Sequence, residues 1–286
     1  MPPELERLLT DTFTVTSVEH LHRYAMVTPV CAGKDVLDIA SGEGYGSNLL
    51  AQSARSVIGV DISNEVIESA KLKYSRPNLR FLCGTADAIP LEACSVDVVV
   101  SFETLEHHDK HDEMLSEITR VLRANGVLII STPNKLFYSD IPKYKNAFHV
   151  KELYLGEFRS LIDRNFKSHR ILFQGLAYGT LVAPENGWGS FSFYGGNYQT
   201  SQSMQRLPHY EYLIAVASDG TLPEFDVSFF DGIQTLKDNK RQDWESLPSL
   251  ERQLHSLENT VRDLRNSISF RLGCFLTAPV RKLFGR

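Results

Sequence analysis

The residues with the most chemical content fall into a few clusters along the 286-residue chain. The first is Val36-Leu37-Asp38-Ile39-Ala40-Ser41-Gly42-Glu43-Gly44-Tyr45-Gly46. An apolar run delivers Asp38, and the glycines that follow let the backbone turn sharply and approach a ligand closely. The dinucleotide fingerprint is G-x-G-x-x-G, which seats a pyrophosphate on a helix N-terminus. Here the spacing is G-x-G-x-G, and Ser47 stands where the third dinucleotide glycine would be. Asp38 would repel a pyrophosphate and attract a cationic amine, so the loop suits a nucleoside bearing an amino-acid-like group better than NAD. Seventeen residues after Gly44 a second apolar run ends in Gly59-Val60-Asp61, where a carboxylate can accept both ribose hydroxyls. In Gly84-Thr85-Ala86-Asp87, after a third run, Asp87 can accept from an adenine amine.

A second group combines carboxylates with imidazoles: Phe102-Glu103-Thr104-Leu105-Glu106-His107, then His149 and Glu152 some forty residues on. Such groups remove a proton from a hydroxyl directly, or hold a divalent metal that acidifies it. On a helix, Glu103, Glu106 and His107 would share one face. His108 and His111, flanked by Asp109, Lys110 and Asp112, are expected at the solvated surface.

These residues need a scaffold, and the hydrophobic pattern supplies one. Strands are expected at 35–39, 56–60, 79–82, 96–101 and 127–130. Helices are expected over 48–54, 63–74 (capped by Ser63) and 112–123, the last ending at Asn125-Gly126. This alternation predicts an α/β fold with a parallel sheet covered on both faces. Beyond Pro133 the pattern predicts a helix over 150–165, strands at 168–173 and 211–217, and a connection over 175–208 rich in Gly, Tyr, Ser and Asn. A connection that long is usually functional. Within it, Trp188, Phe191, Tyr194, Asn197 and Tyr198 mix aromatic faces with polar partners, which suits a sugar ring.

The ordered motifs resemble those of the class I S-adenosylmethionine-dependent methyltransferases over roughly residues 18–220. Asp38 to Ser47 corresponds to their glycine loop, Val60-Asp61 to their ribose acid, Thr85 to Pro90 to their adenine loop, and Phe102 to His107 to the segment after their fourth strand. The lead-in Glu19-His20-Leu21-His22-Arg23-Tyr24 is similar to that of a bacterial subgroup in which Arg23 or Tyr24 would hold the methionine carboxylate. The resemblance implies a Rossmann-like, seven-stranded, mostly parallel sheet. It also implies cofactor contacts from Arg23, Tyr24, Asp38, Ala40, Gly42, Gly44, Asp61, Ile62, Ala86, Asp87 and Phe102, with His107 or His149 as catalytic base. The ExxEH and later HxxE layout is similar to a metal-dependent branch that methylates the terminal 2′-hydroxyl of small RNAs. That likeness implies Glu103, Glu106, His107 and His149 as ligands to Mg²⁺ or Mn²⁺. A scaffold without catalysis is the third reading, and the intact glycine loop and ribose acid argue against it.

The composition, 42% hydrophobic and 23% charged with net charge −5, fits a globular chain with a sizeable core and excludes wholesale disorder. The four cysteines form no CxxC pair, so neither a disulfide framework nor a thiolate zinc site is expected. No secretory leader is expected at Met1-Pro2-Pro3-Glu4, and a cytoplasmic protein fits. The charge is uneven: residues 264–286 hold five basic residues and no acid, leaving −10 on the rest. A body this acidic argues against a broad nucleic-acid surface.

The organisation expected is a methyltransferase domain over 1–220, a linker over 221–243, a coiled coil over 244–270 and a basic amphipathic tail over 271–286. Leu247, Leu250, Leu254, Leu257, Val261, Leu264 and Ile268 form the heptad seam, which implies self-association or docking of a partner. The segment from Ser267 to Arg281 resembles an ending found after coiled coils in bacterial surface-polysaccharide glycosyltransferases and methyltransferases, with Phe270 in place of the usual tryptophan and Gly273-Cys274-Phe275 inserted. That resemblance implies a sugar or polysaccharide acceptor. The apolar and basic residues of the tail would suit contact with a membrane surface.

Overall fold

The computed structural model describes residues 8, 10, 14–177, 191–196, 198–199, 201–204, 207 and 209–232. The chain divides into two compact units, Met1–Phe230 and Asp231–Arg286. The expected coiled coil and tail lie outside the described residues, as does Trp188. Of the expected linker, residues 221–230 belong to the first unit, where Leu222 and Phe225 pack against a core cluster.

The elements follow in the order α1 Val15–Cys31, β1 Asp35–Ile39, α2 Tyr45–Leu50, β2 Ser56–Asp61, α3 Asn64–Lys73, β3 Leu79–Cys83 and β4 Val96–Phe102. After these come α4 His111–Val121, β5 Leu122–Pro133, α5 Leu155–Asp163, β6 Ser168–Gln174, a small hairpin of β7 Phe193–Gly196 and β8 Ser201–Met204, and β9 Tyr212–Ser218. The seven-stranded sheet has the order β3-β2-β1-β4-β5-β9-β6. β1 to β5 pair in parallel, and β9 runs antiparallel between β5 and β6. The expected α/β architecture is present.

Alternation along the buried strands feeds two cores. In β4, Val98, Val100 and Phe102 join Tyr24, Val27, Ile67 and Phe81 on the face covered by α1, α2 and α3. Val99 joins Leu37, Leu115, Ile118 and Phe158 on the face covered by α4 and α5. Several element ends differ from the sequence expectation: α2 covers Tyr45–Leu50 and not 48–54, and β5 extends over Leu122–Pro133 beyond the expected 127–130. α4 stops at Val121, because Leu122 turns to extended backbone and Arg123 is drawn into an ion cluster. α5 begins only at Leu155, where the Glu157 carboxylate accepts from the Tyr154 N–H at 2.9 Å. The long connection also contains the hairpin, which its turn-rich composition hid.

The two ends of the sheet have different work. At the starts of β1 and β4, Asp35 accepts from Arg55 at 2.8 and 2.5 Å and from Arg123 at 2.9 Å. Asp97 accepts from the same two arginines at 2.9 and 2.7 Å. This cluster closes one end of the sheet with charge pairs. At the opposite end, β1 and β4 are adjacent strands whose connections depart in opposite directions, leaving a crevice where ligands bind in open α/β sheets.

Candidate active site

The crevice is a cavity of about 670 Å³ lined from the carboxyl ends of β1, β2, β3, β4 and β5, within the size range of small-molecule sites. Two non-glycine residues flank the switch between β1 and β4 in left-handed conformation, Ala40 at φ 58° and Glu103 at φ 53°. Each costs on the order of 1–3 kcal/mol, so packing around the crevice holds them there.

The glycine loop divides its tasks. Gly42 (φ 52°) has nothing within 4 Å of where a side chain would begin, and it lines the cavity. Gly44 (φ 86°) caps α2 and abuts Phe81, where a β-carbon would sit 2.6 Å from the ring. Gly46 lies under the ring of Tyr24, and any side chain there would overlap it. The early third glycine is therefore explained by a tyrosine from α1, a reason the spacing alone does not contain.

Asp38 is fully buried and does not line the cavity. Its carboxylate accepts from Ser47 Oγ at 2.6 Å and from Tyr24 Oη at 3.2 Å. Burial pushes its pKa from 3.8 up to about 7, against the lowering effect of those two bonds. Since the folded value lies above the unfolded one, the stability this group contributes is complete below about pH 4 and is lost as pH rises through about 7. Asp38→Asn is expected to flatten that slope and to raise the melting temperature at pH 8 by several degrees, because no buried charge then forms. Melting curves at pH 5 and pH 8 measure it, and an unchanged slope would show that Asp38 stays ionised throughout.

Asp61 closes β2. Its Oδ2 accepts from the Gly42 backbone N–H at 3.0 Å and its Oδ1 from the Ser63 N–H at 2.9 Å. A carboxylate has about four lone-pair sites, so these bonds anchor it without exhausting its accepting capacity. Asp61, Ile62, Ala86 and Asp87 all line the cavity, as do Ala40, Tyr24 and Phe102. Asp87 accepts from Lys110 Nζ at 2.6 Å, which holds its pKa at about 2. Among the described residues the Ser41 hydroxyl, buried at the cavity, has no hydrogen-bond partner. An orphaned hydroxyl and an accepting carboxylate in one cavity fit a ligand carrying hydroxyl and amine groups.

Arg23 is also buried and stands behind the lining. It donates to Gln174 Oε1 at 2.6 Å, lies 3.8 Å from Glu103 Oε1, and packs over the Tyr212 ring. Burial pushes nearby Glu19 up to about 6, against the lowering effect of Arg23.

Glu103, Glu106 and His107 do not share a helical face. Only Leu105–His107 form a single 3₁₀ turn, and Glu103, left-handed and outside it, accepts from Ser131 Oγ at 2.5 Å. Glu106 is buried and accepts from Thr132 Oγ1 at 3.0 Å; burial, reinforced by the Glu103 carboxylate, pushes its pKa well up. Ligand atoms of Glu106, His107 and His149 lie within 4.8 Å of one another, and Glu103 is not in that group. The four-ligand set expected from sequence thus contracts to three. Two imidazoles and one carboxylate suit Mn²⁺, Fe²⁺ or Zn²⁺ better than Mg²⁺.

The two rings are held alike. His107 Nδ1 donates to the Phe148 carbonyl at 3.2 Å, and His149 Nδ1 donates to Glu152 Oε1 at 2.6 Å. Each acceptor fixes the proton on Nδ1 and leaves Nε2 as the basic nitrogen. Asn146 Oδ1 accepts from the Phe148 N–H at 3.0 Å, which orients its Nδ2 to donate to His149 Nε2 at 3.1 Å. Tyr138 stacks on His149 with centroids 5.3 Å apart. His111 is not solvated as expected. It is buried, with Nε2 donating to the carbonyls of Leu105 and His108 at 2.8 Å.

Tyr138, Asn146 and Tyr212 went unrecognised in sequence. Tyr212 reaches the cavity only because β9 pairs with β5 in a register that sets it opposite Pro133. Asn146 had a visible signal, three residues before His149 in a segment of chemical interest.

Residues 37–130 match the family model described as a methyltransferase domain. The YcgJ protein of Bacillus subtilis superposes with a TM-score of 0.52 at 19% identity, covering 70% of this chain and 98% of that one. That likeness is one of fold, a Rossmann-like sheet covered by helices. Among methyltransferases of known sequence, a probable S-adenosylmethionine-dependent methyltransferase of Mycolicibacterium smegmatis is 40% identical over 143 residues, 49% of this chain and 54% of that protein. A ubiquinone biosynthesis O-methyltransferase of Coxiella burnetii is 31% identical over 123 residues, 42% of this chain and 53% of that one. The chain spans about half the length of the curated relatives it matches. In this fold the glycine loop, Asp61 and the Ala86-Asp87 loop share one cavity with His107 and His149. No described helix is long and apolar enough to cross a membrane.

Proposed function

We propose that the chain transfers a methyl group from S-adenosylmethionine to a hydroxyl oxygen. The observation that carries this reading is a cavity that brings Asp61, Ala86 and Asp87 together with two oriented imidazoles. When bound, the sulfonium supplies an activated methyl group, and its carbon–sulfur bond breaks as the acceptor oxygen bonds to the methyl carbon. Asp61 holds the ribose hydroxyls, Ala86 and Asp87 border the adenine, and Gly42 leaves room for the chain between them. Arg23 acts from behind the wall by charge, and Asp38 by holding Tyr24 and Ser47 in place. His107 takes the acceptor proton on Nε2, with the Phe148 carbonyl supporting the positive ring that results, or His149 does so with Glu152 once the Asn146 amide moves off its Nε2. The O-methyltransferase among the relatives supports oxygen as the acceptor atom.

For the acceptor we propose a sugar hydroxyl of a bacterial surface polysaccharide or its precursor, supported by the aromatic and small polar residues of the 188–198 connection. Methyl transfer from labelled S-adenosylmethionine into a panel of nucleotide sugars and polysaccharide fragments tests it. Incorporation that is lost when the acceptor hydroxyl is blocked is the expected result; labelling of nitrogen acceptors instead would refute it. A second reading, metal-dependent 2′-O-methylation of RNA 3′ ends, is favoured by the Glu106, His107 and His149 group. It predicts activity on RNA that a chelator removes.

A further inference from the structure

The segment between β5 and α5 is the surface that the catalytic reading leaves unused. Six consecutive residues, Asp140-Ile141-Pro142-Lys143-Tyr144-Lys145, are exposed, and so are Phe148, Val150 and Lys151. Ile141 is 57% exposed, Tyr144 53% and Val150 64%. Large apolar side chains this open, interleaved with lysines, are uncommon on a surface that meets only water. Lys143, Lys145 and Lys151 are the cations. The one acid among the exposed residues, Asp140, accepts from Tyr154 Oη at 2.8 Å. The patch is positive on a chain that carries −10 outside residues 264–286.

The patch is continuous with the site. Tyr144 packs edge-on against Tyr138 with centroids 5.8 Å apart, and Tyr138 stacks on His149 at 5.3 Å. The carbonyl of Phe148, whose side chain is exposed, accepts from His107. The patch thus borders two residues that line the cavity, Tyr138 and His149.

We propose that this segment docks the catalytic unit on an anionic lipid bilayer, with Ile141, Tyr144, Phe148 and Val150 entering the headgroup boundary and the lysines contacting anionic headgroups. Apolar and aromatic side chains among lysines are the chemistry of interfacial binding, and each lysine near such a surface adds to the attraction. The acidity elsewhere sharpens the orientation, since other faces are repelled by the same surface. The acceptor, on the methyl-transfer reading given above, is then amphiphilic, with its hydroxyl group presented at the bilayer surface. The docking itself does not depend on that reading.

Sedimentation of the full chain with phosphatidylcholine vesicles, with and without about one third phosphatidylglycerol, tests the surface. Binding is expected only with the anionic lipid. K143E/K145E in the full chain should weaken it by about tenfold or more, given the contribution per lysine, and I141S should weaken it as well. Hydrogen exchange of residues 136–151 should slow when vesicles are added. Binding that survives K143E/K145E, or vesicle-bound protein with no protection at 136–151, assigns the contact to the C-terminal tail and overturns the proposal. So does a failure of the full chain to bind. Calorimetric affinity for S-adenosylmethionine is measured alongside, so that failure of cofactor binding and failure of docking are told apart.

Discussion

Asp61→Ala is expected to abolish measurable binding of S-adenosylmethionine. Two hydrogen bonds from ribose hydroxyls to a charged acceptor are each worth about 1.5–3 kcal/mol, so their joint loss corresponds to roughly a hundredfold or greater rise in Kd. The alanine also releases the Gly42 and Ser63 N–H groups that Asp61 now holds, which loosens the glycine loop at the same time. Asp61→Asn keeps the shape but one acceptor only, so its amide faces either the Gly42 or the Ser63 N–H as a donor, and an intermediate affinity is expected. Isothermal titration calorimetry reads the affinity, and a thermal melt shows that the variant is folded. A folded Asp61→Ala protein that binds with wild-type affinity would remove the ribose assignment and, with it, the strongest support for the methyl-transfer reading.

Turnover should depend as strongly on the two imidazoles. His149→Ala and His107→Ala are expected to lower kcat by about 10²–10⁴, the usual contribution of a general base, while the affinity for S-adenosylmethionine stays near wild type. If the rings act as one unit, the double variant will be little worse than the poorer single one. The same preparations decide the metal question. Activity that falls with a chelator and returns with Mn²⁺ identifies Glu106, His107 and His149 as a cation site, whereas chelator-insensitive activity leaves proton removal to the imidazoles alone. A kcat within a few-fold of wild type in both single variants would place the chemistry elsewhere in the cavity.

The central fold was legible in sequence because buried parallel strands are short apolar runs, and β1 to β4 stand within two residues of their expected positions. What escaped were features set by partners distant along the chain. The end of α4 depends on an ion cluster built by Asp35 and Asp97, and the burial of His111 on carbonyls of the preceding turn. The cofactor side of the site was legible because its groups sit at strand ends and backbone turns, where spacing along the chain is spacing in the cavity. The proton-transfer side was only partly so. Helical spacing suggested a shared face for Glu103 and Glu106, but the left-handed backbone at Glu103 turns it toward Ser131. The contribution of Tyr212 depends on β-strand register, which no local pattern encodes.

The close fit of Tyr24 over Gly46 has a consequence for where this module begins. Residues 37–130 are the part that family resemblance detects, yet the glycine loop is shaped by a side chain from α1, outside that span. A recombination or gene-fusion event cut at the detected boundary would transfer the loop without the ring that packs against it. The packed unit that shapes the glycine loop is longer at its amino end than the span the family model matches, because it includes Tyr24 of Val15–Cys31.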